Sequence, residues 1–275
     1  MKKKFFTVLL VIFALVFVAS AVALIVYFTR SNKEKQIYDN LASSVETIRQ
    51  NALAQIPEPD PENPDAQPEI TLVPVEDPKT GQALWVLPEY AHVFQMNPDT
   101  VGWIQIPGTK MSYPVTQTPD NPNYYLKRNF YKESSSHGCI YAQENCDVFA
   151  PSDNITLYGH FMRDGSMFAV LSEYKSKSFW ESHKTIHFDT ITKRQEYEIF
   201  AVFLTTASLG EGFAYHTFVD AWDAESFDTF VNRCKYLSLY DTGITPAYGD
   251  KLITLSTCEY SQVNGRLVVV ARAVD

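Results

Sequence analysis

Leu252-Ile253-Thr254-Leu255-Ser256-Thr257-Cys258 is an apolar run ending in a thiol, and Leu267-Val268-Val269-Val270-Ala271 is a second run that begins directly after Arg266. Both are short and bounded by polar, turn-forming residues, so they read as two neighbouring strands. The cysteine then sits at the tip of one strand and the guanidinium at the foot of the next. A strand end fixes a sulfur while leaving it open to substrate, and a nearby cation favours thiolate over thiol. The plain alternative is a small hydrophobe at a hairpin, so the rest of the chain must decide.

Working outward, the same texture fills the C-terminal two thirds of the chain. Further strands are expected at 101–106, 113–115, 138–141, 155–158, 185–188 and 197–203, each punctuated by glycine, proline or polar turns. Two segments break the pattern with helical periodicity. Ser166 to Tyr174 places Met167, Val170, Leu171 and Tyr174 on one face, and Ala224 to Leu239 does so with Phe227, Phe230, Val231, Cys234 and Leu237, Asp223 serving as its N-cap. These stripes read as core rather than as cofactor contacts. The expectation is a mainly β domain, sandwich or barrel, with a few helices.

The N-terminal third is different. Lys2, Lys3 and Lys4 precede an uncharged, apolar run over residues 5–28, long enough for a helix to cross a bilayer. Ala19-Ser20-Ala21 resembles a signal-peptide cleavage site, but apolar residues continue through Val22, Leu24, Ile25, Val26 and Tyr27, which favours an uncleaved anchor. Next, Ile37, Leu41, Val45, Ile48 and Ala52 recur at three- and four-residue steps, the signature of a helix that packs on the domain or extends the anchor. Seven prolines between 57 and 78 then mark a linker or stalk. The expected organisation is a cytoplasmic tail (1–4), a transmembrane anchor (5–28), a juxtamembrane helix (29–56), a Pro/acidic linker (57–82) and one catalytic domain (83–275). The whole would be a single-pass protein of the cell membrane with its domain on the extracellular face.

Composition excludes some functions. The net charge of -9 is concentrated in residues 58–77, which hold seven acidic side chains and no basic one. The remainder is close to neutral, which argues against a nucleic-acid partner. His183 and His187 have metal-like i, i+4 spacing, yet 185–188 reads as strand and no Cys-x-x-Cys or His-Glu-x-x-His accompanies them, so no metal and no cofactor is expected. There is no Gly-x-Ser-x-Gly and no phosphate loop.

Of the six histidines, His160 is best placed as a base, because Leu157-Tyr158-Gly159-His160 sets it just past a strand beside a glycine. Of the cysteines, Cys234 falls on an apolar helix face, and Cys139 and Cys146 bracket a possible hairpin that a disulfide could close.

With these residues in view, the chain resembles the sortases, class B in particular, the cysteine transpeptidases of Gram-positive bacteria. The resemblance rests on residues 254–260 (Thr-Leu-Ser-Thr-Cys-Glu-Tyr), on Asn264-Gly265-Arg266 with the strand after it, and on Leu157-Tyr158-Gly159-His160. Residues 97–104, 106–109 and 165–168 support it, and it runs from about Tyr90 to the C-terminus. Two positions depart from the family pattern: Phe161 stands where an asparagine is common, and Cys139 where a small residue is usual.

The resemblance implies an eight-stranded sortase-type β-barrel. It implies that Cys258 attacks a threonine carbonyl in the C-terminal sorting signal of a secreted protein, forming a thioacyl-enzyme. His160 would protonate the departing amine and then deprotonate an incoming one, from a peptidoglycan precursor or a pilin, while Arg266 would stabilise the oxyanion or hold the substrate backbone. Ser256, Asn121 and Leu126 are weaker candidates for the substrate groove, and an N-P-x-T-x signal is suggested. Three alternatives compete: an L,D-transpeptidase-like enzyme using Cys139 of Ser136-His137-Gly138-Cys139, a hydrolytic cysteine protease, and a non-catalytic scaffold that only binds sorting signals.

Overall fold

A computed structural model describes residues 2–54, 71–208 and 210–274. In chain order, α1 spans Lys2–Ala54, a hairpin follows from β1 (Val73–Glu76) and β2 (Ala83–Val86), and α2 spans Pro88–Met96. The strands β3 (Thr100–Gln105), β4 (Ser112–Thr116), β5 (Ile140–Ala142), β6 (Asn154–Tyr158), β7 (Thr185–Thr190), β8 (Glu196–Thr206), β9 (Leu252–Cys258) and β10 (Gly265–Val274) come next. Two further helices, α3 (Lys177–Ser182) and α4 (Ala224–Leu237), lie between β6 and β9 in the chain.

β3 to β10 close into a barrel in the order β10-β8-β7-β3-β4-β5-β6-β9, which is the eight-stranded architecture expected. All eight strands read from the sequence are present. The pairing is antiparallel except at β4–β5 and β6–β9, which run parallel.

The uninterrupted hydrophobicity of β10 has a direct cause, because both of its faces are covered. Leu267, Val269 and Ala271 point into the main core, while Val268 and Val270 join a second cluster with Phe227, Phe230, Val231 and Cys234 of α4. A bulge in β8, where Ala201 pairs with Val270 and Ile199 with Ala271, leaves Phe200 free to turn toward α4. α4 opens with a capping box: the Asp223 side chain accepts from Ser226 N–H, and Ser226 Oγ lies 3.1 Å from Asp223 N.

α1 is a single helix of 53 residues, about 80 Å long at 1.5 Å per residue. It is long and apolar enough to cross a membrane, and its large apolar side chains over residues 5–28 lie bare. From Ser31 onward one face is buried on the barrel through Tyr38, Leu41 and Val45. Arg49 reaches Asp189 of β7 at 2.8 Å, and Ser31 donates to Asp164 at 2.6 Å. The amphipathic segment therefore packs on the domain, without a break from the apolar run before it.

The structure differs from expectation at three other points. The proline-rich stretch begins outside the described residues, which resume at residue 71, but its end forms β1, paired with β2. The Ser166–Tyr174 segment is a 3-10 helix over Phe168–Lys175 rather than an α-helix. Finally, Cys139 and Cys146 are free: their sulfurs face the carbonyls of Pro114 and Asn154 respectively, in different strands.

Candidate active site

The parallel pairing of β6 with β9 sets Tyr158 opposite Ser256. The register continues past the strand ends, since Gly159 N–H donates to Ser256 O (3.2 Å) and Thr257 Oγ1 donates to Gly159 O (2.8 Å). Two residues on from each member of the pair stand His160 and Cys258. On the other side of β9, antiparallel β10 places Arg266 opposite Cys258. Three adjacent strand termini, spaced about 4.8 Å apart in a sheet, thus supply an imidazole, a thiol and a guanidinium.

They open on one cleft of about 360 Å³, lined by Cys258, His160 and Arg266 together with Ser256, Leu126 and other residues. Cys258 is half-buried, at the last position of β9. His160 Nε2 lies 2.6 Å from the Leu126 carbonyl, which can only accept, so Nε2 carries hydrogen and Nδ1 is left to exchange a proton. Two glycines permit this approach. A Cβ on Gly159 would come within 2.7 Å of the Phe168 ring, and one on Gly138, at φ +61°, within 2.9 Å of the Leu126 carbonyl. Arg266 Nη1 donates to the carbonyls of Gly265 (2.9 Å) and Asn264 (3.2 Å), which steadies the guanidinium on its own turn at the mouth of the cleft.

The segment after Cys258 is also tied down. Glu259 is buried, with Lys175 at 2.5 Å and Ser261 N–H at 2.9 Å. Burial raises the Glu259 carboxyl, but these donors outweigh it and hold it at about 2.

Of the groove candidates, Ser256 is buried with its hydroxyl 2.6 Å from Tyr215 OH, and Leu126 lines the cleft. Asn121 is not among the lining residues. Asn123 is, in a left-handed turn (φ 60°), with its side chain accepting from Tyr141 OH at 2.9 Å. Sequence reading missed Tyr141, Gln143, Glu144, Tyr158, Tyr215 and His216, which also line the cleft. Tyr141 and Tyr158 could have been found from the alternation of β5 and β6, but Tyr215 and His216 come from a 3-10 turn with no pattern of its own.

The other thiols are poor nucleophiles. Cys139 touches the cleft wall but is only 2% exposed, and burial pushes it up to about 12. Cys146 is raised to about 11 by burial, and Cys234, on the buried face of α4, is raised by burial too.

A sortase-domain family model matches residues 104–274, from within β3 to the last residue of β10. The chain belongs to the sortase family. Sortase B of Listeria monocytogenes is 34% identical to it over 183 residues, 66% of this chain and 72% of that protein. Sortase B of Staphylococcus aureus is 32% identical over 191 residues, 69% of this chain and 76% of that protein. Among solved structures, a Staphylococcus aureus sortase B–substrate complex superposes with a TM-score of 0.71 at 26% identity, covering 90% of this chain and 99% of that one. Clostridium perfringens sortase B matches at 0.59 with 32% identity, covering 67% and 98%. This sortase is of the class B type, a cysteine transpeptidase, as its C-terminal motifs suggested.

Proposed function

We propose that this sortase is a membrane-anchored enzyme that cleaves a C-terminal sorting signal of secreted proteins and transfers the acyl group to an amine of a cell-wall precursor. The observation that carries this reading is the meeting of Cys258, His160 and Arg266 in one cleft. The Cys258 thiolate attacks the threonine carbonyl and the C–N bond breaks. His160 gives its proton to the departing amine, leaving a thioacyl-enzyme. The incoming amine then loses a proton to His160, forms the new C–N bond, and expels the thiolate. Arg266 donates to the oxygen that becomes anionic in each step. Leu126 and Ser256 belong to the wall that receives a signal of the N-P-x-T-x type, and Asn123 replaces Asn121 as the groove's asparagine.

The bare apolar half of α1, residues 5–28, is the anchor, with Lys2 to Lys4 cytoplasmic and the barrel outside. The sortase B–substrate complex among its structural neighbours supports a peptide substrate. Incubating the full-length enzyme in detergent with N-P-x-T-x peptides, with and without an amine acceptor, tests the reading. The expected result is a ligated product that appears only with the amine. Peptide release with no amine adduct would make the protein a hydrolase, and no cleavage by a folded enzyme would favour a binding scaffold.

A further inference from the structure

The cleft contains one acidic side chain among its described lining residues, Glu144. It is half-buried, and none of the described residues supplies it with a hydrogen bond or an ion pair. Arg266, the cation of the same cleft, is turned to backbone carbonyls instead. A carboxylate partly removed from water and left without a partner is costly unless something pairs with it.

Its backbone, by contrast, is held firmly. Gln143 N–H donates to Thr156 O (2.8 Å) and Cys146 N–H to Gln143 O (3.2 Å), closing a tight turn around Glu144. Gln117 Nε2 bridges the carbonyls of Gln143 (2.8 Å) and Cys146 (2.7 Å). The Gln143 side chain donates to His216 O (3.0 Å) and accepts from Tyr158 OH (2.7 Å). Burial first and the Glu144 charge second raise the nearby Tyr141 phenol, so the carboxylate is felt inside the cleft. A preorganised turn presenting one unpaired negative charge to the cleft that holds the thiol is the arrangement expected of a cation subsite.

We propose that Glu144 binds the acceptor amine in its ammonium form and delivers it to the thioacyl group on Cys258. This rests on the transpeptidation reading above. A primary amine reaches the site mostly protonated at neutral pH, with pKa values of roughly 8 for an α-amine and about 10.4 for a lysine. Glu144 selects this cation over water and over neutral nucleophiles. As the amine leaves the carboxylate, one proton goes to solvent. A second passes to His160 as the C–N bond forms and the C–S bond breaks, and Cys258 departs as thiolate.

The test uses the full-length enzyme in detergent, a sorting-signal peptide as acyl donor, and two acceptors: glycinamide, mostly cationic at neutral pH, and hydroxylamine, mostly neutral. With Glu144→Gln, the KM for glycinamide is expected to rise about tenfold, as for a partly screened charge pair, while that for hydroxylamine changes less than about twofold. Glu144→Asp, which keeps the charge, should recover most of the glycinamide affinity, and unchanged melting temperatures will establish that both variants fold. An equal change for the two acceptors, or none for either, overturns the proposal. If the unsubstituted enzyme forms an adduct with neither acceptor, it is the transpeptidation reading that fails, and the subsite with it.

Discussion

Cys258 and Cys139 line the same cleft, each at a strand terminus, and differ in what surrounds the sulfur. Cys139, just ahead of β5, is sealed under its neighbours, and removal from water pushes its thiol to about 12. Cys258 ends β9 half-exposed, with Arg266 directly across the sheet and the His160 turn on its other side. Reactivity here is decided by exposure at the strand end: a thiol sealed from water, as Cys139 is, becomes a small hydrophobe. Motif resemblance alone does not separate them, since Ser136-His137-Gly138-Cys139 resembles a nucleophile motif of another peptidoglycan enzyme class.

Exchanging each thiol for alanine breaks the comparison most sharply. Cys258→Ala should lower peptide cleavage by about ten-thousandfold or more. Cys139→Ala should keep activity within about threefold and cost roughly 1 kcal/mol of stability through lost packing. Cleavage assays and denaturant melts on both variants check this, and loss of activity only at Cys139 would reverse the assignment. A smaller effect is expected at Arg266: alanine there should reduce kcat by about a hundredfold to a thousandfold. Lysine should restore part of that but lose the fixed fork of donors, and an alanine variant with kcat intact would remove Arg266 from the chemistry.

The mildest effect concerns what pins the strand end at Cys258. The folded Glu259 carboxyl lies below its ordinary value of 4.5, at about 2, so its contribution to stability is full above about pH 4.5 and is lost as pH falls toward 2. Lys175→Met returns the carboxyl toward its ordinary value. It should raise the midpoint of acid unfolding by about half a pH unit, an effect moderated by the half-exposed lysine. An acid titration followed by near-UV circular dichroism measures it, and an unmoved midpoint would show that the ion pair does not restrain the segment.

Much of this was legible in the chain because barrel strands advertise themselves: each is a short apolar run between turn residues. His160, Cys258 and Arg266 stand at the ends of such runs, where sequence position and spatial position nearly coincide. What was hidden depends on the fold's closure. Asn121 and Asn123 are two residues apart in one polar turn, and only the left-handed backbone at Asn123 decides which side chain meets Tyr141. Glu144 looks like any exposed loop acid until Gln117 and Gln143 fix its turn. β1 was obscured by Pro74, which pairs within an isolated two-stranded ribbon outside the barrel.

The uninterrupted course of α1 sets a mechanical condition on the enzyme. Its bare apolar stretch ends at Phe28, and Ser31 is already bonded to Asp164 in the loop that follows His160. Those three residues rise only about 4.5 Å along a helix axis. For an anchored enzyme there is then no tether to pay out, and the barrel rides on the lipid surface like a cap on a post. The cleft of an enzyme anchored in this way would sweep a thin layer at one fixed height, donor and acceptor would both have to be presented within that layer, and encounter would become a search in two dimensions.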